Sequence, residues 1–150
     1  MHISPTLNPI DFIKAVFGSS KEYHYKLKQF SYARGALIVA INSIKSAHGL
    51  NQNTTVFVPA FICDTVIDLF KAYDIPYVYY HVTKDLKVDW KRFPLDYALT
   101  DSIFLIVNYY GFPMCDNQTV EFTKENKMFL IEDYAHSILN VNKNIEDIIK

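Results

Sequence analysis

Ser102-Ile103-Phe104-Leu105-Ile106-Val107 is an almost wholly apolar run. Such a run, with no polar residue at every second position, marks a strand buried on both faces, as in a parallel sheet covered by helices. Downstream, Gly111-Phe112-Pro113 breaks the run, Val120 to Asn126 suits a short helix, and Met128 to Ile131 forms a second apolar strand that ends in Glu132-Asp133. Upstream, Trp90 to Leu99 is mixed and loop-rich, and Tyr77 to Val82 is strand-like. Before that, Val66, Ile67, Leu69, Phe70 and Tyr73 fall on one side of a helix, and the β-branched run Thr54 to Val58 is stopped by Pro59. Ala36, Leu37, Ala40, Ile41, Ile44 and Ala47 recur at helical spacing, which predicts an amphipathic helix over Ala33 to His48 with Gly49 as its left-handed stop. Helix, strand, helix, strand, strand, helix, strand is the order of an α/β fold with a mostly parallel sheet and flanking helices.

Composition narrows the function. Among 150 residues, half are hydrophobic, 15% are aromatic and 21% charged, which fits one globular core rather than a disordered segment. A net charge of −1 leaves no basic excess for nucleic acid or an anionic membrane. Cys63 and Cys115 cannot build a disulfide framework, no Cys/His cluster has metal-ligand spacing, and both thiols are expected to be buried and structural. The first 17 residues contain no signal-peptide core, and no apolar run approaches the ~20 residues of a membrane span, so the cytoplasm is the expected compartment. Residues 1–30 read as an irregular arm, with one short helix over Asp11 to Phe17.

In parallel sheets ligands bind beyond the carboxyl ends of the strands. Those ends are Pro59 to Asp64, Asn108 to Gly111 and Asp133 to Ser137. Ile131-Glu132-Asp133-Tyr134-Ala135-His136-Ser137 places two carboxylates and an imidazole directly after a buried strand. A carboxylate there needs a cationic partner or a cap, because an unpaired buried charge is costly. Two readings are open: Asp133 meets a cation, or Asp133 caps the next turn while Glu132 faces water. At the entry to the first helix, Ser31-Tyr32-Ala33-Arg34-Gly35-Ala36-Leu37 offers free N–H groups and a guanidinium, which suit an anion. Asn108-Tyr109-Tyr110-Gly111-Phe112-Pro113 is a strand-end turn rich in aromatics. No glycine-rich dinucleotide or nucleotide loop and no nucleophile elbow occurs, and the other histidines have no partner at useful spacing.

Taken in order, six pieces resemble one family. They are Arg34-Gly35-Ala36-Leu37; Val56-Phe57-Val58-Pro59-Ala60-Phe61-Ile62-Cys63; Ile75-Pro76-Tyr77-Val78-Tyr79-Tyr80; Val88-Asp89; Ile106-Val107-Asn108-Tyr109-Tyr110-Gly111-Phe112-Pro113; and the Ile131–Ser137 element. Together they are similar to the N-terminal large domain of the DegT/DnrJ/EryC1/StrS aminotransferases. These are pyridoxal-phosphate enzymes of the aspartate-aminotransferase fold type that aminate nucleotide-linked keto-sugars. The resemblance implies that Asp133 pairs with the cofactor's pyridine nitrogen and that His136 lies near its phenolic oxygen. It also implies that the backbone around Arg34 and Gly35 holds the phosphate, and that an aromatic after Pro59 stacks on the ring. Phe61 and Cys63 are the nearest positions for the last role.

Two departures matter. Tyr32-Ala33 stands where the family has small Ser-Gly residues, and the family's Schiff-base lysine lies well beyond the Asp133–His136 element. Lys143 and Lys150 follow Asp133 too closely to be that lysine. Residues 31–150 are therefore expected to be part of a large domain that carries cofactor-binding residues but no catalytic one, and to be inactive alone. The family further implies a homo-oligomer, a small amino donor and a nucleotide-sugar. An unfinished sheet edge and 22 Tyr and Phe side chains (11 of each) point the same way, toward self-association. The alternative is a non-catalytic binding or interaction module that keeps this fold.

Overall fold

A computed structural model of the chain describes residues 32–136. The arm expected over 1–30, its short helix over Asp11 to Phe17, and Ser137, Lys143 and Lys150 lie outside these residues. The described elements are α1 (Ala33–His48), β1 (Val56–Pro59), α2 (Asp64–Ala72), β2 (Tyr77–Tyr80), β3 (Ile103–Val107), α3 (Asn117–Glu125) and β4 (Phe129–Asp133). Single 3-10 turns lie at Trp90–Arg92 and Tyr109–Gly111. The fold is α/β, with four parallel strands in the order β2-β1-β3-β4 and helices against the sheet. β3 is central and wholly buried, as its unbroken apolarity requires.

Side-chain alternation sends each strand's residues to two layers. On one face Val56, Val58, Ile103 and Leu105 pack with Leu37, Ile38 and Ile41 of α1 and Val66, Ile67 and Phe70 of α2. On the other, Phe57, Tyr80, Phe104 and Ile106 meet Val88, Phe93, Met114 and Met128, with Trp90 and Phe122 at the margin. This second layer is a stack of rings: Tyr80 lies 4.9 Å from Phe104 and Trp90 4.6 Å from Phe122, centroid to centroid. Each fully buried side chain of this size contributes about 1.5–3 kcal/mol. The Trp90–Leu99 loop thus covers a sheet face that the sequence pattern left without a cover.

Helix α1 runs over the residues its spacing predicts, and Gly49 closes it at φ 65° with its N–H on the Lys45 carbonyl. Three local expectations need correction. Cys63 is exposed and Cys115 half-buried, because Cys63 is the N-cap of α2 rather than part of a core face. Tyr73 is 60% exposed, because α2 ends at Ala72 and the chain turns away. β2 stops at Tyr80, and Val82 instead forms an isolated antiparallel bridge with Val88. No helix among the described residues is long and apolar enough to cross a membrane.

Candidate functional site

From β1 the chain steps outward to β2 and then returns past β1 to β3 and β4, so the strand order reverses between β1 and β3. Parallel sheets leave a crevice at the carboxyl end of such a reversal. A cavity of about 250 Å³ lies there. Ile62 and Cys63 after β1, Val107 and Tyr109 around the end of β3, and Asp133, Ala135 and His136 at the end of β4 line it, closed by Tyr32, Arg34 and Leu37 of the α1 entry.

The β4 register decides which carboxylate enters the cavity. Phe129 and Ile131 pack into the layer of α1 and α2, and Leu130 into the opposite one. Asp133 continues the first series and Glu132 the second. Asp133 is half-buried, and its Oδ1 accepts the Ala135 N–H at 2.7 Å, so it does cap the turn. Its other oxygen, Oδ2, receives no hydrogen bond among the described residues. Glu132 is half-buried rather than open to water, and its Oε2 accepts from Asn108 Nδ2 at 3.1 Å and from the Tyr134 hydroxyl at 2.7 Å. Burial, aided by that bond to Glu132, pushes the Tyr134 hydroxyl well up and keeps it a donor.

In the α1 wall of the cavity the helix begins without a side-chain cap on Tyr32 and without an acidic residue in its first turn. By contrast α3, which starts away from the cavity, is capped by Asp116, whose Oδ1 accepts the Thr119 N–H at 2.9 Å. The first turn of α1 carries Arg34 instead, whose guanidinium lies 4.9 Å above the Tyr32 ring. A cation at a helix N-terminus opposes the macrodipole unless an anion sits between them. Neither Arg34 nor Asp133 belongs to an ion pair among the described residues. Gly35 does not line the cavity; its N–H donates to the Tyr32 carbonyl at 3.0 Å.

His136 is exposed at the rim, stacked on Tyr110 with ring centroids 5.9 Å apart. Tyr110 holds a left-handed backbone, φ 54°, a conformation that is strained for a bulky residue. Tyr109 is buried beneath, and its hydroxyl donates to the Phe61 carbonyl, tying the β3 end to the β1 end. Of the two candidates for ring stacking, Cys63 lines the cavity and Phe61 lies outside its lining, half exposed against Tyr109. The Cys63 thiol sits below its ordinary range because the Thr65 hydroxyl, 3.1 Å from Sγ, and the Thr65 backbone N–H favour the thiolate.

The structure therefore brings Arg34, Asp133 and His136 to one cavity and leaves Gly35 just behind it. In the sequence Cys63 stands out only as a strand-end residue and a stacking candidate and Asn108 only as part of a strand-end turn, while nothing local marks Thr65 as a wall residue or Tyr134 as a support. No family model matches the sequence, and no curated protein matches it either. Among the described residues no cluster of His, Cys, Asp and Glu could hold a metal, and no lysine lines the cavity.

Proposed function

We propose that residues 32–136 form the cofactor cradle of a pyridoxal-phosphate-dependent aminotransferase of the DegT/DnrJ/EryC1/StrS type, with nucleotide-linked keto-sugars as the substrate class. One observation carries the reading: Arg34, at an uncapped helix start, and Asp133, whose Oδ2 receives no hydrogen bond among the described residues, line the same cavity. The residues fit the group. An anionic phosphate suits the α1 N–H groups and Arg34. A protonated ring nitrogen suits Oδ2 of Asp133, and His136 stands at the rim beside the ring's place.

When bound, pyridoxal phosphate supplies an electron-withdrawing ring. This chain's own residues do the rest. Asp133 holds a proton at the pyridine nitrogen, Arg34 and the α1 entry fix the phosphate, and the Tyr110–His136 stack limits water at the rim. The lining without lysine makes binding by these residues non-covalent, and it favours a second reading as a binding module. A second copy of the chain is the proposed partner, through the exposed rim rings of Tyr32, Phe61, Tyr110 and Phe112.

A fluorescence titration with pyridoxal phosphate tests the cradle. Saturable binding, reversible on dialysis and weakened about tenfold or more by either Arg34→Ala or Asp133→Asn, is the expected result. Binding untouched by both substitutions overturns the reading.

A further inference from the structure

We infer that Asn108, Glu132 and Tyr134 form a brace that positions Asp133, so that Glu132 acts through its neighbours rather than on the ligand. The inference rests on the reading of Asp133 as the partner of a ring nitrogen. Its geometry is independent of that reading. β3 and β4 are in register through Ile106↔Glu132 and Val107↔Asp133, and the next bond of the ladder runs from the Asn108 N–H to the Asp133 carbonyl at 2.8 Å. The Asn108 side chain, only 1% exposed, then reaches two further segments. Its Nδ2 donates to Glu132 Oε2 at 3.1 Å, and its Oδ1 accepts the Met114 N–H at 2.7 Å. The Tyr134 hydroxyl closes the set on the same Oε2 at 2.7 Å.

The residues on either side of Asp133 are thus tied to each other on one sheet face, and the Asp133 backbone is tied to β3. What remains to project on the cavity face is the Asp133 side chain. Glu132 is half-buried and belongs to no ion pair among the described residues. Two neutral donors on one oxygen compensate its carboxylate, which satisfies the rule that buried polar groups are hydrogen-bonded. The same oxygen could come from an amide, so a hydrogen-bonding brace tolerates Glu132→Gln and fails with Glu132→Leu.

The test uses the full chain with Tyr134→Phe, Glu132→Gln and Glu132→Leu, and reads three quantities. They are affinity for pyridoxal phosphate, affinity for inorganic phosphate, and hydrogen exchange of the Asn108 amide. Glu132→Leu is expected to weaken pyridoxal phosphate about tenfold and Tyr134→Phe about threefold, while Glu132→Gln restores most of the loss. Inorganic phosphate, which engages only the α1 wall, is expected to bind all variants alike, whereas a merely structural role lowers both affinities together. Faster Asn108 exchange in Glu132→Leu and Tyr134→Phe, but not in Glu132→Gln, reports the brace directly. Unchanged exchange in every variant overturns the brace whatever the ligand does. Faster exchange with pyridoxal phosphate affinity intact overturns the positioning role. A wild-type chain that takes phosphate but not pyridoxal phosphate overturns the cofactor reading, and exchange then still decides the brace.

Discussion

Replacing Tyr32 with aspartate sets stability and anion binding against each other at one position. Tyr32 is the N-cap of α1 with extended backbone (φ −143°, ψ 140°) and no side-chain cap. An aspartate there accepts an N–H of the first turn, a gain of about 1 kcal/mol. Its charge at the positive end of the helix dipole adds about 0.5 kcal/mol. The substitution removes the Arg34–Tyr32 contact, made at 4.9 Å on a ring that is 65% exposed; an exposed contact of this kind is worth about 0.5 kcal/mol. The net expectation is a chain more stable by about 1 kcal/mol, or about 3 °C in melting midpoint. The same carboxylate occupies the N–H groups assigned to phosphate and repels it, so pyridoxal phosphate should bind at least about tenfold more weakly. Thermal melting by circular dichroism and a ligand titration on the same preparation read both effects. Stabilisation with full affinity would refute the assignment of the phosphate to the α1 entry. No stabilisation at all would refute the claim that this helix start lacks a cap.

Three further outcomes follow from the same geometry. Gly35→Ala should stabilise the chain by about 0.5–1 kcal/mol in urea titrations, because position 35 is helical and an added Cβ there meets nothing within 4 Å; destabilisation would contradict the open space beside it. Tyr80→Phe should cost about 1 kcal/mol, since its buried hydroxyl donates to the Leu105 carbonyl at 2.9 Å, and an unchanged urea midpoint would show that this bond does not form. Iodoacetamide should modify Cys63 in the folded chain with a pH midpoint below that of the urea-unfolded chain, and Thr65→Val should move it upward; equal midpoints would remove the effect of Thr65 on the thiol.

Much of this fold was legible because its signals are local. Leu37, Ile41 and Ile44 recur at helical spacing, Gly49 supplies the left-handed stop, and Ile103 to Val107 is apolar without interruption; each is decided within a few residues. The two layers of the sheet follow from alternation once the strands are known. What escaped depends on register. Whether Glu132 or Asp133 enters the cavity is settled by β4 lying against β3 as Val107↔Asp133, and the bond from Asn108 to Glu132 spans 24 positions. The exposure of Cys63 depends on where α2 begins, one residue beyond it. The ring layer of Trp90, Phe93 and Phe122 was hidden because a loop with no periodicity supplies two of its members.

The central claim is that one cavity binds pyridoxal phosphate with its phosphate on α1 and its ring nitrogen on β4. A crystal of the full chain soaked in pyridoxal phosphate tests this most directly. Density is expected in which the phosphorus lies against the Ala33–Arg34 entry of α1 and the pyridine nitrogen lies within hydrogen-bond distance of Oδ2 of Asp133. Density for the cofactor at any other place, or in this cavity with the ring nitrogen turned away from Asp133, would contradict it.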